Sequence, residues 1–237
     1  MKPARQNCTL YVLLVLAACP FQAATGLDQE PKNPHARWEQ SIQGMEARDA
    51  EDRQPRRGVL FVGSSSIRMW NLPMSFPELP AINHGFGGSQ IDDTIHFADR
   101  IVWPFQPKVI VFYAGDNDIA RGKTPDVVAC DYATFSRLVR KHLPETTLMY
   151  VAIKPSIARW KLADLMIEAN AAIAKQCAEE DKRIFLDVWQ PMLGEDGKPM
   201  ADLFLKDGLH MNAKGYAMWN ALVQAELDLL QKPVVTQ

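Results

Sequence analysis

Five short apolar runs, set between stretches with a helical repeat, leave this chain few folds to choose from. Residues 59–62, 81–83, 109–113, 148–153 and 184–186 are rich in β-branched and aromatic side chains. Continuous apolar runs of this length fit strands covered on both faces. Between them, apolar residues recur every three or four positions, the mark of helices with one buried face. Ile91, Ile95, Ala98 and Val102 form one such stripe, and Val128, Tyr132, Phe135 and Val139 form a second. Leu162, Leu165, Ala169, Ile173 and Cys177 form a third. Tyr216, Trp219, Val223, Leu227 and Leu230 form the last. The alternation predicts an α/β fold, a three-layer α/β/α sandwich around a parallel sheet of about five strands. Right-handed crossovers narrow the topology to a few doubly wound orders. Ligands of such sheets sit beyond the C-terminal ends of the strands.

The N-terminus follows another pattern. Lys2 and Arg5 precede an apolar run over residues 10–18. That run is shorter than the roughly 20 residues a bilayer span needs. A basic start, a short apolar stretch and small residues after it predict a secretion signal over residues 1–24. The run ends Leu16-Ala17-Ala18-Cys19. This resembles the bacterial lipobox, in which the Cys becomes the lipidated first residue. A plain signal cut near Ala23 or Ala24 is the other reading. The expectation is an exported protein, periplasmic or anchored to a bacterial membrane by lipid on Cys19. Residues 25–57 read as a polar tether, then a helix over 34–50 carrying Trp38, Ile42 and Met45, then a charged connection. Residues 58–232 are the expected main domain.

Charge and cysteine usage exclude some roles. The formal net charge is −2, with no cluster of Lys and Arg of the kind that binds nucleic acid. No CxxC or HxxxH spacing supports a protein-built zinc site, and no metal is expected. Cys130 and Cys177 fall in predicted helices. The expectation is two buried free thiols, with pairing left open because spacing alone does not show how close their Cα atoms come.

Four polar motifs punctuate the alternation. Gly63-Ser64-Ser65-Ser66-Ile67 follows the first strand. A Ser there can expose its hydroxyl at a strand-to-helix turn, or simply cap a helix. Asn83-His84-Gly85-Phe86-Gly87-Gly88-Ser89 follows the second. Its glycines permit a tight turn, or backbone N–H groups aimed at developing negative charge. Without a following Lys-Ser or Lys-Thr it is not a phosphate-cradling loop. Gly115-Asp116-Asn117-Asp118 follows the third. Asn117 could donate from its amide, while the two Asp residues lack the further oxygens of a calcium site. Asp207-Gly208-Leu209-His210 precedes the last helix. His is suited to proton exchange near neutrality, and an Asp three residues away can orient it. Plain surface polarity is the alternative.

Taken together, the motifs resemble the SGNH hydrolases, also called GDSL-like lipases and esterases, including their platelet-activating-factor acetylhydrolase-like branch. The likeness covers roughly residues 58–216. It implies a flavodoxin-like sheet and a serine esterase that needs no cofactor. By position it implies Ser65 as nucleophile, with Asp207 and His210 completing a triad. It implies an oxyanion hole from Ser65, Gly88 and Asn117. Ser64 stands where the family usually has Asp. A Gly-x-Ser-x-Gly elbow is absent, since Ile67 lies two residues after Ser65. The expected substrate is a small-molecule or glycan ester with a short, typically acetyl, acyl group. No long apolar lid insertion is evident, although residues 155–160 could shape the pocket. A lysophospholipase or thioesterase, or a non-catalytic carbohydrate- or envelope-binding lipoprotein that keeps the fold, are the alternatives. Oligomeric state is not readable from the sequence.

Overall fold

The computed structural model describes residues 33–51 and 57–231. The expected signal, Cys19, most of the tether and residues 52–56 lie outside the described residues.

Strands β1 (Val59–Gly63), β2 (Ala81–Gly85), β3 (Val109–Tyr113), β4 (Thr147–Val151) and β5 (Arg183–Leu186) form a parallel sheet in the order β2-β1-β3-β4-β5. Among the described residues the helices are α1 (Glu39–Glu51), α2 (Ser65–Arg68), α3 (Leu72–Ser75), α4 (Ile91–Ile101), α5 (Asp116–Ala120), α6 (Pro125–His142), α7 (Ala163–Ala178) and α8 (Ala213–Gln231).

Successive strand residues point to opposite faces, so the apolar runs feed two cores. Leu60, Val62, Ile110, Phe112, Leu148 and Tyr150 meet α1, α4, α6 and α7. Val59, Phe61, Val109, Val111, Tyr113, Met149 and Val151 meet α2 and α8. This is the expected three-layer sandwich. Helix α1 belongs to the same compact unit, which begins at Pro34, and buries Ile42 and Met45.

Particular positions depart from the predicted stripes. Leu165 is 39% exposed and Met166 takes the buried place on α7. Leu230 is 42% exposed, lying past Leu227, the last buried residue of α8. Ile95 is only partly buried. Cys130 is exposed, against the expectation that both thiols are buried. It follows Val128 by two positions, about 200° around the helix, and so leaves the buried stripe. Cys177 is buried with its Sγ 3.0 Å from the Tyr132 hydroxyl, and both cysteines are free. Strand β4 ends at Val151, short of Ile153. There the Asn170 side chain replaces a strand partner, accepting from the Ile153 N–H at 2.8 Å and donating to its carbonyl at 2.9 Å.

Trp219 is fully buried, its ring 5.1 Å from that of Tyr113 and 5.4 Å from that of Trp70. Trp219→Ala should destabilise the fold by about 3–5 kcal/mol, read as a lower urea midpoint. An unmoved midpoint would mean that α8 is not docked on the sheet in this way.

Candidate active site

The strand order reverses direction between β1 and β3, and such a switch point opens a crevice at the C-terminal strand ends. The first three polar motifs follow β1, β2 and β3. Gly63 closes β1 with φ 133°, and a Cβ there would lie 2.0 Å from the Tyr113 carbonyl. Only glycine fits. The Ser64 N–H then donates to Tyr113 O at 2.9 Å, and Ser65 opens α2. Two neighbours brace that short helix. The Asn83 amide donates to the carbonyls of Ile67 and Trp70 at 2.7 and 3.0 Å. The Tyr216 hydroxyl, from α8, donates to Ser66 O at 2.9 Å. Ser64 and Ser66 are buried, while Ser65 is half-buried and faces the crevice.

His210 meets Ser65 from the other end of the chain, with Nε2 3.1 Å from Oγ. Its Nδ1 lies 2.6 Å from Asp207 Oδ2. The other carboxylate oxygen accepts the N–H groups of Leu209 and His210 at 2.9 and 3.0 Å. These contacts hold the Asp207 carboxyl down at about 2, led by the bond from His210. A charged Asp207 keeps the proton of His210 on Nδ1 and leaves Nε2 free to accept from Ser65. The turn is fastened on both sides. Gly208 has φ 63° and its carbonyl accepts from the Ala158 N–H at 3.0 Å. Asn212 accepts from the N–H of Lys214 and Gly215 and so caps α8.

Three donors belong to residues that line the crevice. Ser65 and Gly88 donate their backbone N–H to no acceptor among the described residues. Gly88, at φ 81°, lines the crevice. The Asn117 amide donates to Ser89 O at 2.9 Å, and its Oδ1 accepts from Arg159 Nη2 at 2.9 Å. A carbonyl only accepts and a guanidinium only donates, so the amide's orientation follows, and one N–H remains unengaged. Ser65, Gly88, Asn117 and His210 therefore line one crevice, and Asp207 stands behind His210. Its volume is about 700 Å³, and Trp38, Arg68, Arg121 and Arg159 also line it.

The model of the GDSL-like Lipase/Acylhydrolase family matches residues 69–218. The chain belongs to that family. No curated protein sequence matches it significantly. Among solved structures, a Streptococcus pneumonia protein provisionally named a platelet activating factor superposes with TM-score 0.73 at 18% identity, over 81% of this chain and 93% of that one. A GDSL-like lipase from Bacteroides thetaiotaomicron gives 0.67 at 21% identity, over 80% and 98%. A carbohydrate esterase family 3 protein from Talaromyces cellulolyticus gives 0.57 at 19% identity, over 73% and 96%. At these identities the likeness is one of fold.

A charged support lies under Asn117. Arg159 Nη1 lies 2.9 Å from Asp116 Oδ2, and Lys154 Nζ lies 3.5 Å from the same oxygen. Lys154 is fully buried beside the Tyr113 hydroxyl, and burial pushes its amine below the ordinary lysine range. Asp118 turns the other way, bonding Lys123 at 3.0 Å and the Ile91 N–H at 3.2 Å. Burial raises its carboxyl to about 6. The two Asp residues of this motif are thus braces. Among the described residues no three His, Cys, Asp or Glu side chains gather as a metal-ligand set. Arg159 lies within the 155–160 loop flagged from sequence, but Trp160 turns away and stacks on Trp189 at 6.1 Å. Arg68, Arg121 and Trp38 carry no motif, so only the fold brings them to the crevice.

Proposed function

We propose that this chain is a serine esterase that hydrolyses short-chain acyl esters, acetyl esters foremost, through an acyl-enzyme. The observation that carries the reading is the hydrogen-bonded row Asp207–His210–Ser65 beside three unengaged N–H donors. His210 Nε2 takes the Ser65 proton as Oγ attacks the ester carbonyl. The N–H groups of Ser65 and Gly88 and the Asn117 amide receive the oxyanion. As it collapses, His210 protonates the departing alcohol. Water then attacks the acyl-enzyme with His210 as base, releasing the acid and restoring Ser65.

A short acyl group is favoured because no long apolar insertion roofs the crevice among the described residues. The carbohydrate esterase among the structural neighbours is in keeping with a glycan or small-molecule substrate. A fluorophosphonate probe reacts only with an activated Ser. It should label the native protein on the peptide holding Ser65. Failure to label folded protein would sink the esterase reading and favour a non-catalytic binding role.

We also infer that the protein is exported and lipid-anchored at Cys19. The basic start, short apolar run and Leu-Ala-Ala-Cys sequence support this. Acyl chains contribute about 0.8 kcal/mol per buried methylene, so two or three hold firmly. Cys19→Ala should move the protein from the membrane pellet to the soluble fraction; retention in the pellet would refute the anchor.

A further inference from the structure

The crevice carries positive charge without a matching carboxylate on its walls. Arg68, Arg121 and Arg159 line it, and among the described residues no Asp or Glu does. Arg159 is answered from below by Asp116 at 2.9 Å. The other two are not answered. Arg68 is exposed and its side chain makes no hydrogen bond or ion pair among the described residues. Arg121 is exposed, with a 3.3 Å bond to the neutral Gln90 side chain and no ion pair among the described residues.

Both flank the glycine loop. A Cβ on Gly87 would sit 2.9 Å from Arg68 Nε, and one on Gly88 would sit 3.8 Å from Arg121 Nη2. The edge of the Trp38 ring would be 3.3 Å from that second Cβ and walls the same spot. A guanidinium presents a planar fork of donors that matches a carboxylate or phosphate. Two such forks in the crevice that Ser65 also lines would raise the local concentration of anions there.

We propose that the preferred substrate is an ester that itself bears a carboxylate or phosphate, held by Arg68 and Arg121. This rests on the esterase reading and narrows it. The ester bond cleaved and the steps of cleavage are those already given; the anionic group is a handle and does not react.

The test compares para-acetoxybenzoate and para-acetoxyphenyl phosphate with neutral para-acetoxybenzamide, each rate normalised to its hydroxide-catalysed rate. Mono-para-nitrophenyl succinate against para-nitrophenyl butyrate asks the same of the acyl side. Native kcat/KM should favour at least one anion by roughly tenfold or more, with the ratio shrinking as salt rises. The double variant R68Q/R121Q should bring that ratio close to one. Which ester shows the preference identifies the anion and the side that carries it. Equal kcat/KM for every pair, or a preference that survives the double variant, overturns the inference. Calorimetric binding of the same esters to the Ser65→Ala protein reads the preference without turnover. Loss of the esterase reading therefore shows separately, as native protein that binds the anions selectively and cleaves none of the esters.

Discussion

Ser65→Ala should lower kcat on para-nitrophenyl acetate by roughly 10⁵- to 10⁶-fold, while the folded protein and its melting midpoint stay as they are. The size follows from the lack of a substitute. Ser64 and Ser66 flank the site in sequence, but their side chains are buried, and only Ser65 Oγ lies within reach of His210. The fold should survive because α2 is held by other groups, the Asn83 amide and the Tyr216 hydroxyl. Ser64→Ala is the control. Its hydroxyl has no hydrogen-bond partner among the described residues, so its removal should leave most of the rate. The reverse pattern, with Ser64→Ala inert and Ser65→Ala active, would dismiss the hydrogen-bonded row as the reactive one.

Asn117→Ala should cost about 100- to 1000-fold in kcat and much less in KM. Its free N–H meets charge that exists only as the carbonyl becomes tetrahedral, so binding of the planar ester hardly uses it. The variant also strips Arg159 Nη2 of its acceptor at 2.9 Å. Asn117→Asp keeps the shape but sets a second negative charge against the oxyanion, and should lose at least as much. Steady-state kinetics on one acetyl ester reads both. If Asn117→Ala raises KM and spares kcat, the residue binds substrate and does not serve the transition state.

The layering was readable because both signals were strong: runs such as Val109–Tyr113 admit little but a doubly covered strand, and α6 and α8 keep a long apolar repeat. Errors fell at the edges of stripes. A step of three from Leu162 points to Leu165, but the buried face of α7 passes through Met166, and periodicity alone does not separate neighbours 100° apart. The strand expected over 148–153 stops at Val151, and at Ile153 a side chain, Asn170, substitutes for backbone pairing. At the site, Ser65, Gly88, Asn117, Asp207 and His210 are singled out because a resemblance joins four motifs that are each ambiguous alone. Arg159 was missed as a partner of Asn117, and Arg68 and Arg121 as walls. An isolated arginine has no sequence signature, and its role depends on where the chain folds it.

The hydroxyl and the imidazole are 145 positions apart, and the imidazole comes second. A ribosome therefore delivers the serine early and unarmed. Until the chain has folded, Ser65 is an ordinary alcohol with no imidazole beside it. On the proposed reading, the hydroxyl meets its base only when the turn holding His210 has emerged and settled against the sheet.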